Sequence, residues 1–266
     1  MSDLIDKTAN YVLDLASPQR LNILFKLLSK DSTPTEIAKE LESTKQEVHR
    51  NFVRLEESGL IEKKNNGKYS TTTFGEAVCT QVPTIVFFSQ NRKYFEEHTF
   101  SDIPYKFKLR CGQLATSQHI KGVSKVLEQW KSIYKNSNQY IYEILSEAPL
   151  DLIEPRVKQI KKGIKYHYIF SESTVVPKGR KALLKKLGFD DLIKQGLVER
   201  KMAKKVQTMI VLNEKEACVM FPTNDGESDI TEIFYSDDSM FHEWCLDYFR
   251  FCWYGSDIFE ESKLKE

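Results

Sequence analysis

No apolar run in this sequence approaches the roughly 20 residues needed to cross a bilayer. Its most apolar short stretch, Val82 to Phe88, is interrupted by Pro83. No signal-type segment is expected ahead of the first helix, and mean hydropathy is −0.45. Cysteine is sparse: five residues, at 79, 111, 218, 245 and 252, with no Cys-x-x-Cys pair. An odd, scattered set argues against a disulfide framework and fits reduced thiols in a cytoplasmic protein. A glycine-rich phosphate loop, H-E-x-x-H and G-x-S-x-G are also missing. No cofactor or metal is therefore expected. His242, Cys245 and Cys252 share a helical face, but they lack a fourth ligand, and buried thiols in an aromatic helix explain them better.

What is present is ample core material. Of 266 residues, 41% are hydrophobic and 12% aromatic, enough for two modest domains. The net charge of +1 hides an asymmetry. Residues 155–205 carry 15 Lys/Arg against 4 Asp/Glu, whereas 206–266 carry 4 against 14. The two stretches can neutralise each other inside one domain, so the basic one is read as a solvated or internally paired face.

The N-terminal third is dense in helix start signals. Ser17-Pro18 is an N-cap followed by proline at the first helical position, ahead of Leu21, Leu24, Phe25 and Leu28. Thr33-Pro34-Thr35-Glu36 is a capping box, and Thr44-Lys45-Gln46-Glu47 is a second. The helix from Thr44 ends where Gly59 can take a left-handed conformation. Along it Val48, Phe52 and Leu55 form one stripe, and Gln46, His49, Arg50, Val53 and Arg54 fall opposite. Leu60 and Ile61 start a strand, Asn66-Gly67 turns it, and Lys68 to Thr72 returns.

Three helices followed by a two-stranded wing is the order of a winged helix-turn-helix, expected over 1–75. Gln and Arg match adenine and guanine edges in the major groove. Thr44, Lys45 and the free N–H groups of the helix start suit a phosphate. Lys63, Lys64 and Lys68 put positive charge on the wing. Duplex DNA is the expected partner, and a winged helix used only for protein contact is the alternative.

Phe74 to Phe88 reads as an apolar helical region divided by Pro83, within a helical linker or dimerisation segment at 76–115. A homodimer is expected, since helix-turn-helix proteins commonly read two half-sites. Residues 116–266 read as α/β. Strand 140–145, helix 150–162 and strand 164–170 make a βαβ unit; helix 178–187, four further strands and an aromatic helix over 239–254 follow. The overall expectation is an α+β chain, a winged helix joined by helices to an α/β sensor-like domain. His167, Glu172 and Arg180, near the C-terminal end of the βαβ unit, are candidates for binding a small anionic effector.

Three stretches carry a family resemblance: "HTFSDIPYKFKLRCGQL" (98–114), "MIVLNEKEACVMFPTNDGESD" (209–229) and "FHEWCLDYFRFCWYGS" (241–256). They resemble the second domain of archaeal winged-helix regulators related to methanogenesis regulatory proteins. The resemblance implies an archaeal transcription regulator with a non-catalytic, phospholipase D-like effector or dimerisation domain. Phosphodiester hydrolysis by such a fold needs H-x-K-x-x-x-x-D. The only H-x-K here is His119-Ile120-Lys121, expected in a helix, with Val126 at the acid position. No enzymatic activity is expected.

Overall fold

The computed structural model describes residues 2–101, 103–147 and 149–264. The chain mixes α and β structure and divides into two compact units, 1–83 and 84–266.

The first unit holds α1 (Ser2–Leu15), α2 (Pro18–Ser29), α3 (Pro34–Glu40), α4 (Lys45–Glu57), the hairpin β1 (Ile61–Lys63) and β2 (Tyr69–Thr71), and α5 (Thr73–Cys79). The caps act as the sequence requires. Ser17 accepts from Arg20 N–H, and Thr33 and Glu36 close a complete capping box. At α4 the Thr44 hydroxyl accepts from Glu47 N–H at 3.2 Å, the Thr44 half of a box. The helix ends in a Schellman motif: Gly59 N–H bonds to Glu56 O and Leu60 N–H to Leu55 O, with Gly59 at φ +70°. Ile23, Leu24, Ile37, Val48, Phe52, Leu55 and Leu60 are fully buried in one core. Gly75 is required by proximity, because a Cβ there would lie 2.0 Å from Leu60 O.

The second unit, from Thr84, holds most of α6 (Val82–Gln90), then α7 (Tyr94–Glu97) and α8 (Tyr105–Lys108). Pro83 sits in the first turn of α6, so the apolar region after the wing is divided into α5 and α6 there. Residues 84–115 are not a free-standing linker. Phe87, Tyr94, Ile103, Phe107, Cys111 and Leu114 all belong to the second unit's core, because so many large apolar side chains must be buried.

There follow β3 (Gln118–Lys121), α9 (Val123–Asn136), β4 (Tyr140–Glu147), α10 (Ile153–Ile160) and β5 (Lys165–Val175). Then come α11 (Arg180–Lys186), α12 (Phe189–Lys194), β6 (Val198–Ala203), β7 (Met209–Leu212), β8 (Ala217–Met220), β9 (Glu232–Ser236), α13 (Ser239–Tyr254) and β10 (Asp257–Ile258). Eight strands form one mixed sheet in the order β10-β6-β5-β4-β7-β8-β9-β3. The expected βαβ unit is present: β4 and β5 pair in parallel, Tyr140 beside Lys165. One expectation is corrected. His119 lies on strand β3 rather than in a helix, because Gly122, at φ +100°, stands at the N-cap of α9 and the helix begins only after it.

The sheet's core carries a buried charge. Glu143 is completely enclosed and accepts from Arg156 Nη1 at 2.8 Å, from Tyr166 Oη at 2.5 Å and from Tyr134 Oη. A carboxylate without water is tolerated only with such partners. The basic and acidic stretches of the sequence also meet within this unit: Arg180 and Arg200 share Glu261 at 3.1 and 3.0 Å.

Candidate nucleic-acid interface

Helix α4 stands on its apolar edge. With Val48, Phe52 and Leu55 wholly buried, the 3.6-residue period turns Gln46, His49, Arg50, Val53 and Arg54 outward, and all five are exposed. Lys45, Gln46, His49 and Arg50 have no side-chain hydrogen bond or ion pair among the described residues.

Arg54 differs from its neighbours. Its Nε donates to Asp14 Oδ1 at 2.6 Å. Asp14 is only 6% exposed, so its carboxylate must be paired. The hydrogen bond that Arg54 donates to Asp14, and the charge of that carboxylate, raise the Arg54 pKa further. Arg54, expected on the base-reading face, thus also anchors the end of α1 while most of its side chain stays exposed. Arg20 helps: its guanidinium donates to Leu13 O at 2.9 Å and to Asp14 O.

Sequence reading missed a concavity beside α4. Arg20, Arg50 and Arg54 line a hollow of about 670 Å³ with Gln19, Asn51 and Glu47, at the N-terminal end of α2. Asn51 donates to Gln19, 32 positions away in sequence, which no local pattern could signal. Three guanidiniums, one carboxylate and a helix N-terminus make an anion-attracting surface.

On the hairpin, Lys63 and Lys64 are exposed and Lys68 is half-buried. Lys64 N–H bonds to Lys68 O at 2.7 Å and Gly67 N–H to Lys64 O at 2.9 Å, closing the turn. Lys64 lies 3.6 Å from Asp31 and Lys68 4.0 Å from Glu36. Such exposed pairs hold weakly in water and exchange readily for a phosphate.

In the second unit the three expected effector-site residues do not converge. His167 is stacked between Tyr142, at 4.9 Å, and Trp253, at 5.1 Å. Burial lowers its pKa against the opposing pull of Glu199. Tyr166, Tyr168 and Phe170 occupy the other face of β5, since the side-chain period of a strand is two. On that side Arg180 lies over the Phe170 ring, its Nη1 on Glu261. Glu172 accepts from Lys263 at 2.9 Å. Their charges are spent on the 260–263 segment.

His119 and Lys121 share one face of β3, and Glu232 of β9 reaches both, at 2.7 and 2.9 Å. The carboxylate beside this H-x-K therefore comes from another strand, not from position 126. Burial lowers the His119 pKa despite Glu232. Cys245 is fully buried and its thiol pKa is pushed up, while His242 Nε2 bonds to Asn213 O at 2.7 Å. Among the described residues no three His, Cys, Asp or Glu side chains gather as metal ligands, and no helix is long and apolar enough to cross a membrane.

The family model described as the HVO_A0261 N-terminal domain matches residues 10–87. No curated protein matches the chain. Among solved structures it is similar to TrmBL2, an archaeal chromatin protein, with TM-score 0.42 and 14% identity over 86% of this chain and 88% of that one. It is also similar to NucT from Helicobacter pylori, with TM-score 0.42 and 13% identity over 54% of this chain and 99% of that one. The phospholipase D family member Nuc from Salmonella typhimurium gives TM-score 0.38 and 12% identity over 55% of this chain and 99% of that one.

Proposed function

We propose that the chain is a winged helix-turn-helix transcription regulator that binds duplex DNA in a sequence-dependent way. One observation carries this reading: Lys45, Gln46, His49 and Arg50 stand exposed, without a side-chain partner among the described residues, on the outer face of a helix whose opposite edge is fully buried. A helix of that width enters the major groove, where Gln46 and Arg50 offer the donor forks that adenine and guanine accept. Thr44 and Lys45 at the helix start, and Lys63, Lys64 and Lys68 on the wing, would neutralise backbone phosphates. The hollow beside α4 supplies a further phosphate seat through Arg20 and Arg50. Two copies reading two half-sites would give a symmetric operator, and the second unit would bias their spacing in response to an effector.

Contact with a protein surface is the competing reading, since Val53 puts an apolar side chain, 39% exposed, into the same row. Selection of bound duplexes from a random pool, at a stated salt concentration, separates the two. Enrichment of a defined motif supports the DNA reading, and a palindromic motif supports the dimer. Recovery of unenriched sequence alone would overturn it.

A further inference from the structure

The second unit carries a groove of about 720 Å³ between α8, the residues after β6 and the last turns of α13. Its charge is one-sided. Lys106, Arg110, Lys205 and Arg250 line it against a single carboxylate, Asp247. Asp247 is committed to Arg110 at 2.8 Å and lies 4.0 Å from Arg250. Lys106 and Lys205 have no ion pair among the described residues; the Lys106 ammonium rests on aromatic rings, and the Lys205 ammonium lies toward Gly226 at the edge of the groove.

The groove also presents aromatic rings to water. Phe251 is 45% exposed and Tyr254 is 83% exposed, one helical turn apart on α13. Lys106 Nζ lies 4.5 Å from the Phe251 ring centre. An opposing contribution comes from the C-terminal end of α13, equivalent to about half a negative charge. It is already muted: Gly255 N–H and Ser256 Oγ cover the carbonyls of Phe251 and Cys252, and Lys201 Nζ covers that of Trp253. The cationic excess prevails.

We infer that this groove binds a nucleoside phosphate, with the phosphate between Lys106 and Lys205 and the base stacked on the Tyr254 ring. An aliphatic anion would use the cations and leave the rings wet; an uncharged aromatic would do the reverse. The volume suits one nucleotide rather than a strand. The binding claim stands independently of DNA recognition, and only its regulatory consequence rests on the function proposed above.

Calorimetric titration of the full chain with adenosine 5′-monophosphate, adenosine, ribose 5-phosphate and a short single-stranded oligonucleotide tests it. Adenosine monophosphate saturates one site, while adenosine and ribose 5-phosphate each bind at least about tenfold more weakly. Lys205→Glu and Lys106→Glu each weaken binding by about tenfold or more, and Tyr254→Ala by roughly tenfold through lost stacking. Lys158→Glu, a change to an exposed lysine on α10, leaves it unaltered, and circular dichroism verifies that every variant is folded. Absence of nucleotide binding at millimolar concentration, binding insensitive to both lysine changes, or binding of the oligonucleotide alone overturns the inference. Fluorescence anisotropy with the selected duplex then separates the claims. Nucleotide binding that leaves duplex affinity unchanged rejects an effector role and retains the site; loss of duplex recognition with nucleotide binding intact counts against the winged-helix reading alone.

Discussion

Asp14 and Arg54 meet at 2.6 Å, a nearly buried carboxylate held by a guanidinium whose side chain is still 57% exposed. The pair ties the end of α1 to the helix proposed to read DNA. Arg54→Ala and Asp14→Asn should each lower the melting temperature of the first unit, and the double variant should fall short of the sum because the two share one interaction. Arg50→Ala, which removes no side-chain partner among the described residues, should melt like the wild type. Differential scanning calorimetry checks the three together.

On DNA the roles should divide differently. Arg50→Ala is expected to lose about 1–3 kcal/mol of discrimination at one base position. Lys64→Ala should weaken all sequences alike and reduce the salt slope by about 1. Anisotropy titrations on the selected duplex and on single-base variants, across a salt series, read both. Unchanged sequence preference in Arg50→Ala would remove it from the reading face.

Gly75→Ala is expected to destabilise the first unit by about 1–3 kcal/mol. The new methyl would sit 2.0 Å from a backbone oxygen, Leu60 O, and 2.9 Å from Leu60 C, neither of which can rotate away. Chemical denaturation measures the loss. A variant as stable as the wild type would mean that the turn between α4 and β1 shifts freely.

Arg156→Met should cost the second unit about 3–5 kcal/mol, because the Glu143 carboxyl would be left buried without its cationic partner. Burial works most strongly against the Arg156 charge, but the Glu143 carboxylate and the oxygens of Tyr166, Tyr134 and Tyr168 together outweigh it and hold the guanidinium protonated. Replacing Glu143 by Leu in the same chain should recover part of the loss, as that buried carboxyl is removed. Urea unfolding followed by tryptophan fluorescence reports on this unit, which contains Trp130, Trp244 and Trp253.

Stability should fall in alkali. Burial pushes Tyr134 and Tyr166 well above their ordinary range, with Glu143 adding to the effect, and raises Tyr140 to about 12. Unfolded tyrosine titrates near 10. Above that pH the unfolded chain binds fewer protons than the folded one, so unfolding free energy decreases with rising pH. The loss begins around pH 8.5, where unfolded thiols titrate while buried Cys111, Cys218 and Cys245 stay protonated, and it steepens near pH 10. Melting temperatures measured from pH 7 to 11 should show a plateau followed by a decline in these two stages.

Much of the first unit was legible because its signals are local. Ser17, Thr33, Thr44 and Gly59 mark helix ends through bonds reaching five residues or fewer, and the period of Val48, Phe52 and Leu55 sets which face turns outward. The same logic placed β4, α10, β5 and α13 to within a few residues. It failed at His119, where a strand of four residues precedes a glycine and no capping side chain signals the boundary.

The helices that begin at Pro18, Pro34 and Lys45, and the outward row on α4, follow from residue order alone, since backbone caps and side-chain periodicity act within a turn or two. Which of those outward groups remain free was settled only by folding. Asp14 reaches Arg54 over forty positions, Glu261 takes Arg180, and Trp253 covers His167, because desolvated charges and rings find partners wherever the chain brings them in space.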